Sequence, residues 1–361
     1  MDHGAEKGTK FFFEFFFCTL DKVNNSCEMD APSPISALRR KRRRVLSRLV
    51  SQRAGSAQLL PRSLATPCVA VLPLGEKAVV AAHELACTMT LWGGAARDDP
   101  ELLAMQSCVH AFGATRVGLA VGMDESVDVL DYGSFAPTWT AALATLDLDA
   151  GAPASSLLLA LCPRGCAKVF DVRTQAAVVE IDCCEDAAMA RFALNAVVTC
   201  SRAGDVVLVD LRRPAKPAER FDAAGPPVAA MWAKSRFAPA FKRHTGNVAG
   251  LCAVDGFVVT AGSTDGVVKA WRGGRCVQTW STGALRPHSP APSGSGGFFA
   301  VVGDNGVGEF NCDSGEQVRT LQRSALLPSE TCVAWDADEG RLVAGQLTGG
   351  AVVWGRHAKN G

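Results

Sequence analysis

From about residue 57 onward the chain alternates short apolar runs with turn-forming residues, and the runs are too short and too rich in valine for helices. Seven segments follow one plan: a short apolar strand, a tight turn that often carries glycine, then an alternating strand that closes on a bulky residue. They read KAVVAAHELACTMTLW (77–92), RVGLAVGMDESVDVLD (116–131), SLLLALCPRGCAKVFD (156–171) and NAVVTCSRAGDVVLVD (195–210). The remaining three are GFVVTAGSTDGVVKAW (256–271), GFFAVVGDNGVGEF (297–310) and GRLVAGQLTGGAVVW (340–354).

The closing residues are Trp92, Leu130, Phe170, Val209, Trp271, Phe310 and Trp354, at intervals of 38, 40, 39, 62, 39 and 44 residues. Five of the six fall near the roughly 40–45 residues of a four-stranded propeller blade. The turn holds its register too. Asp124, Asp265 and Asp304 stand six residues before the closing residue, and Gly165, Gly204, Gly266 and Gly349 stand five before it. Aspartate bonds its own backbone in a hairpin turn, and glycine accepts positive φ. Two further apolar stretches precede each pair, such as AAVVEI (176–181) with AAMARFAL (187–194), or QVRTL (317–321) with TCVAW (331–335). Four strands per unit in a closed ring would leave no open sheet edge.

These units resemble WD repeats, and RHTGNVAGLCAVDGFVVTAGSTDGVVKAW (243–271) is the nearest match. The resemblance implies an all-β, seven-bladed β-propeller over residues 56–361, preceded by a disordered or helical basic extension over 1–55. It also implies a structural hydrogen-bonded set that maps onto His244, Ala261, Asp265 and Trp271, so the hydroxyl of that set is expected to be missing. Only seven residues follow Trp354, so the outermost strand of the last blade is expected from AQLLPRSL (57–64).

The pattern breaks in two places. The 62-residue interval holds an excess placed at 212–235, Pro-rich and bearing Met231 and Trp232, an apolar-aromatic anchor that suits a protein partner. ALRPHSPAPSGSGG (284–297) sits where the sixth blade needs its innermost strand, which predicts an irregular blade or a displaced strand.

Net charge is only +1, but by sequence count residues 1–55 hold 11 Lys/Arg against 6 Asp/Glu, leaving 26 against 30 for the rest. The cations concentrate in Arg39, Arg40, Lys41, Arg42, Arg43 and Arg44, with Arg48 and Arg53 beyond. Three readings stay open for the 39–53 segment: a nuclear import signal that engages an import receptor, a contact to nucleic-acid or lipid phosphates, and a solvated self-repelling tail. Most of the 14 cysteines lie in apolar runs, Cys68, Cys87, Cys108, Cys200, Cys252 and Cys332 among them, and read as small buried hydrophobes in a reducing compartment. No run approaches a membrane span.

No phosphate-cradling loop, nucleophile elbow or paired metal-binding histidine motif appears, His83 and Glu84 face opposite sides of a strand, and His110 reads as an inner-strand core residue. No catalytic, metal or cofactor site is therefore assigned. The expected function is a non-catalytic scaffold or adaptor, a monomeric propeller within a larger protein complex, in the nucleus or cytoplasm. A nucleic-acid-associated nuclear factor using the basic segment is the alternative, and an enzyme using the central channel ranks below both.

Overall fold

The computed structural model describes residues 57–60, 64–74, 78–93, 100–150, 155–163, 165–215, 217–225, 243–282, 290–293, 297–303, 306–322, 330–336 and 341–354. The calls on the 1–55 extension, Arg39–Arg44, Met231, Trp232 and Asp304 lie outside the described residues.

Within the unit that begins at Val50, seven antiparallel four-stranded sheets follow one another. Their innermost strands are Cys68–Leu74, Val109–Ala114, Asp147–Ala150, Ala187–Ala193, Val248–Val254, Ala291–Pro292 and Glu330–Asp336. Each innermost strand contacts that of the next blade, and the last contacts the first, so the ring closes. Six blades are contiguous in sequence. The seventh takes its outermost strand from Ala57–Leu60, which pairs antiparallel with Ala351–Trp354 (Ala57 opposite Trp354, Leu60 opposite Ala351), as the ring-closure reading required.

Seven apolar clusters hold the ring, one at each junction between blades. Every closing residue of the repeat lies in the third strand of its blade and packs toward the preceding blade. Trp271 joins Val198, Cys200 and Val206 of blade 4, while Trp92 joins Val343 and Val353 of blade 7 and Trp354 joins Ala300 and Val302 of blade 6. Because each sheet is sandwiched between two others, its middle strands are buried on both faces. Phe257–Gly262 is buried at all six positions, whereas the outer strand Ala176–Asp182 is mostly exposed. Uniform apolar runs thus mark the middle of each blade, and alternation marks its margin.

The stretches read as leading strands divide between blades. Ala176–Asp182 pairs with Cys166–Asp171 as the outermost strand of blade 3, and Gln317–Gln322 pairs with Gly306–Asn311 in blade 6. Each sequence unit is therefore offset from its sheet by one strand. Blade 6 does have an innermost strand, cut to Ala291–Pro292, with Ala291 opposite Ala300. Pro292 cannot donate to a ladder, and a strand that borders the open channel tolerates it.

The excess placed at 212–235 is also corrected. Pro217–Asp222 is the outermost strand of blade 4, paired with Asp205–Asp210. The described residues continue to Gly225 and resume at Arg243, and a short parallel ladder there pairs Ala224 with His244 and Gly225 with Thr245. Pro217 misleads because proline signals a loop, yet it is accepted at the start of an edge strand.

Candidate functional site

In each blade the turn between the second and third strands lies at the same end of the sheet as the connection to the next blade. At this end the fifth blade brings together the residues that the repeat pattern singled out. Trp271 Nε1 donates to Thr260 Oγ1 at 2.8 Å, Thr260 Oγ1 lies 2.8 Å from His244 Nε2, and His244 Nδ1 lies 3.0 Å from Asp265 Oδ2. All four residues are buried. With a neutral imidazole the proton order runs one way: indole N–H to hydroxyl, hydroxyl to imidazole, imidazole N–H to carboxylate.

Burial opposes the Asp265 charge. The neighbouring His244 and the backbone N–H groups of Thr245 and Val267 outweigh it and hold the carboxyl below its usual pKa. The hydroxyl expected to be missing is present, one residue earlier than mapped. Thr260 lies on the same side of its strand as Val258, which is paired with Trp271, whereas Ala261 faces blade 6. Gly262 makes room for the set, since a Cβ there would sit 2.2 Å from Asp265 Oδ1 and 2.6 Å from His244 Nδ1.

This network ties down the insertion's return. His244 and Thr245 are at once members of the parallel ladder and partners of Asp265, and Val248 N donates to Arg202 O of blade 4. On the return side of the ladder, His244 and Thr245 are both buried.

Asp124 lies in the second-to-third-strand turn of blade 2, as expected. His110, on the innermost strand, is exposed rather than core, and its Nε2 meets Asp124 Oδ1 at 2.6 Å. The bulge between Val109 and Ala111 accompanies this outward placement. Nearby, Leu85 is 89% exposed at a φ of 55°, a costly conformation for a branched apolar residue.

The innermost strands surround a central channel of about 1520 Å³, lined largely by alanine, leucine, valine and backbone. One charged cluster stands in its wall. Asp147 accepts from Ala190 N at 3.0 Å and from Arg191 Nη1, and Asp149 accepts from Phe192 N at 2.7 Å. The carboxylates thus satisfy backbone donors on the free inner edge of blade 4. Burial pushes the Asp149 carboxyl up to about 6, against the pull of Arg191 and the Phe192 N–H. Burial also works against the Arg191 charge, but the two aspartates outweigh it and keep its pKa above the usual arginine value. Lys269, fully buried, reaches Thr279 Oγ1 at 3.2 Å, and burial lowers its pKa.

Among the described residues no three His, Cys, Asp or Glu side chains converge as a metal site, and no helix is long and apolar enough to cross a membrane. Sequence reading missed the Asp147–Asp149–Arg191 cluster because its parts lie more than forty residues apart. The one local hint was a pair of aspartates two apart in a strand.

No known family profile and no curated protein matches this chain. Solved structures do match in shape. The WD40 β-propeller domain of Doa1 superposes with a TM-score of 0.64 at 14% identity, covering 84% of this chain and 98% of that one. The fold is thus a seven-bladed β-propeller of the WD40 type.

Proposed function

We propose that this WD40-type propeller is a non-catalytic platform that holds other proteins in a complex, with residues 226–242 as its main point of contact. One observation carries the reading: the insertion departs and returns through the Ala224–Thr245 parallel ladder, and its return is locked by the buried Asp265–His244–Thr260–Trp271 network. Fixing the two ends of a contact segment lowers the entropy that it loses on binding. Its sequence offers Met231 and Trp232, side-chain types favoured at interface centres.

The test is affinity capture with mass spectrometry on the full chain and on a variant with 226–242 replaced by a short Gly/Ser linker. The variant is expected to keep its thermal transition and lose the main co-purifying proteins. An unchanged partner set overturns the assignment of the contact to this segment. The basic run Arg39–Arg44 supports a second reading, a nuclear factor that adds contacts to nucleic-acid phosphates. Binding to duplex DNA that weakens steeply with salt, and disappears when 39–53 is removed, would favour it.

A further inference from the structure

Two cysteines read from the sequence as buried hydrophobes are not. Cys87, in the second-to-third-strand turn of blade 1, is exposed, and Cys108, just before the innermost strand of blade 2, is half-buried. Their sulfurs stand 3.7 Å apart. Of the other cysteines that lead into innermost strands or sit within them, Cys68, Cys184, Cys252 and Cys332 are buried and Cys183 is half-buried.

The neighbours define what this pair can do. Asp124 faces the Cys108 thiol as well as His110, and Cys108 keeps its proton to a higher pH than an ordinary thiol, through burial first and then Cys87 and Asp124. His110 Nε2 is committed to Asp124, and no three of these four side chains converge on a point where a metal ion could sit. The chemistry left is that between the two sulfurs. Bond formation requires them to approach by roughly 1.7 Å, to about 2.05 Å. Cys87 lies in an exposed turn beside Leu85 and Ala86, so one of the two chain segments that must adjust is at the surface.

We propose that Cys87 and Cys108 form a dithiol modification site that closes to a disulfide on reaction with low-molecular-weight disulfides of the glutathione class. The accessible Cys87 thiolate attacks one sulfur of glutathione disulfide, the S–S bond breaks, and one glutathione leaves as thiolate and takes up a proton. Cys108 then gives its proton to solvent by way of the Asp124 carboxylate and attacks Cys87 Sγ, expelling the second glutathione. Two protein thiols are oxidised by two electrons, and one glutathione disulfide is reduced to two thiols. The bond links the turn of blade 1 to the first strand of blade 2, on the end of the propeller that also carries the insertion.

The test uses the reduced full chain, incubated with glutathione disulfide, alkylated and mapped by mass spectrometry. A cross-linked Cys87–Cys108 peptide is expected as the main product, and Cys162, buried beside Cys166, is expected to remain reduced. Cys87→Ser and Cys108→Ser should each block the cross-link, and Cys108→Ser should stop at a stable glutathione adduct on Cys87. The proposal is overturned if the unmodified sequence accumulates stable adducts without the cross-link. It is overturned equally if both thiols alkylate as fast after oxidant as before, or if Cys162–Cys166 closes instead.

Discussion

Blades 5 and 1 solve the same problem with different parts. In both, the third strand carries a tryptophan paired with a valine of the second strand: Trp271 with Val258, Trp92 with Val79. That register makes Gly262 and His83 equivalent, as it does Thr260 with Ala81 and Lys269 with Thr90. In blade 5 the imidazole comes from the connection between blades and occupies the space that Gly262 leaves open. In blade 1 the second strand itself supplies the imidazole. His83 is fully buried, with Nε2 2.8 Å from Thr90 Oγ1 and Nδ1 3.4 Å from the Thr66 carbonyl of the connection. The imidazole has moved from the connection to the second strand and the hydroxyl from the second strand to the third, and a backbone carbonyl stands where blade 5 has a carboxylate. Blades 1 and 5 thus each tie connection, second strand and third strand through buried polar groups, with different residue patterns.

The strongest way to break the comparison is to put a Cβ into blade 5 at the position where blade 1 carries His83. Gly262→Ala places a Cβ against Asp265 and His244, both buried and mutually bonded, so the network must come apart. A loss of about 3 kcal/mol or more is expected in urea unfolding, a large effect for one methyl group. His83→Ala opens blade 1 instead and is expected to cost about 2 kcal/mol through a cavity and the lost bond to Thr90. A smaller cost for Gly262→Ala than for His83→Ala would mean that blade 5 is the looser of the two.

A second contrast tests which residue carries the hydroxyl. Thr260→Val leaves His244 Nε2 and Trp271 Nε1 facing a methyl group in a buried site, for an expected loss of about 2 kcal/mol. Thr260→Ser should cost under about 1 kcal/mol, because the hydroxyl remains. Ala261→Ser should restore nothing in a Thr260→Val background, since residue 261 faces blade 6. Rescue by Ala261→Ser would contradict the register.

The displaced hydroxyl shows how far the sequence could be read. The number of blades, the closing residues and the described turn positions follow from local periodicity, which the chain states openly, and the ring closure at Ala57–Leu60 from the missing fourth strand of the last repeat. The choice between Thr260 and Ala261 depends on strand parity, which is fixed by the pairing of Val258 with Trp271 and cannot be counted from either segment alone. Pro217 misled because an edge strand and a loop make similar demands on a single residue. Cys87 with Cys108, and Asp147 and Asp149 with Arg191, are contacts made where successive turns or adjacent blades meet, at separations of 21 and more than forty residues. No local pattern encodes them.

The finest test reads the blade 1 imidazole by pH. Burial pushes the His83 pKa below its usual value, against the weaker pull of the Thr66 carbonyl, so this ring is held neutral. Protonation would add an N–H where Nε2 must accept from Thr90. The sign follows from proton binding: below the unfolded-state pKa, near 6.5, the unfolded chain takes up a proton that the folded chain refuses. The stability owed to neutral His83 is therefore complete above about pH 6.5 and is lost as the pH falls through the lower, folded-state value. Asp149 runs the other way, because its carboxyl, raised to about 6, favours the folded state as acid is added from pH 7. The two slopes overlap, so only variants resolve them. His83→Asn is expected to flatten the fall in urea midpoint between pH 7 and 5, while Asp149→Asn steepens it. A fall in midpoint that His83→Asn leaves unchanged would place the acid sensitivity outside blade 1, and the permuted tie would then have no cost in acid.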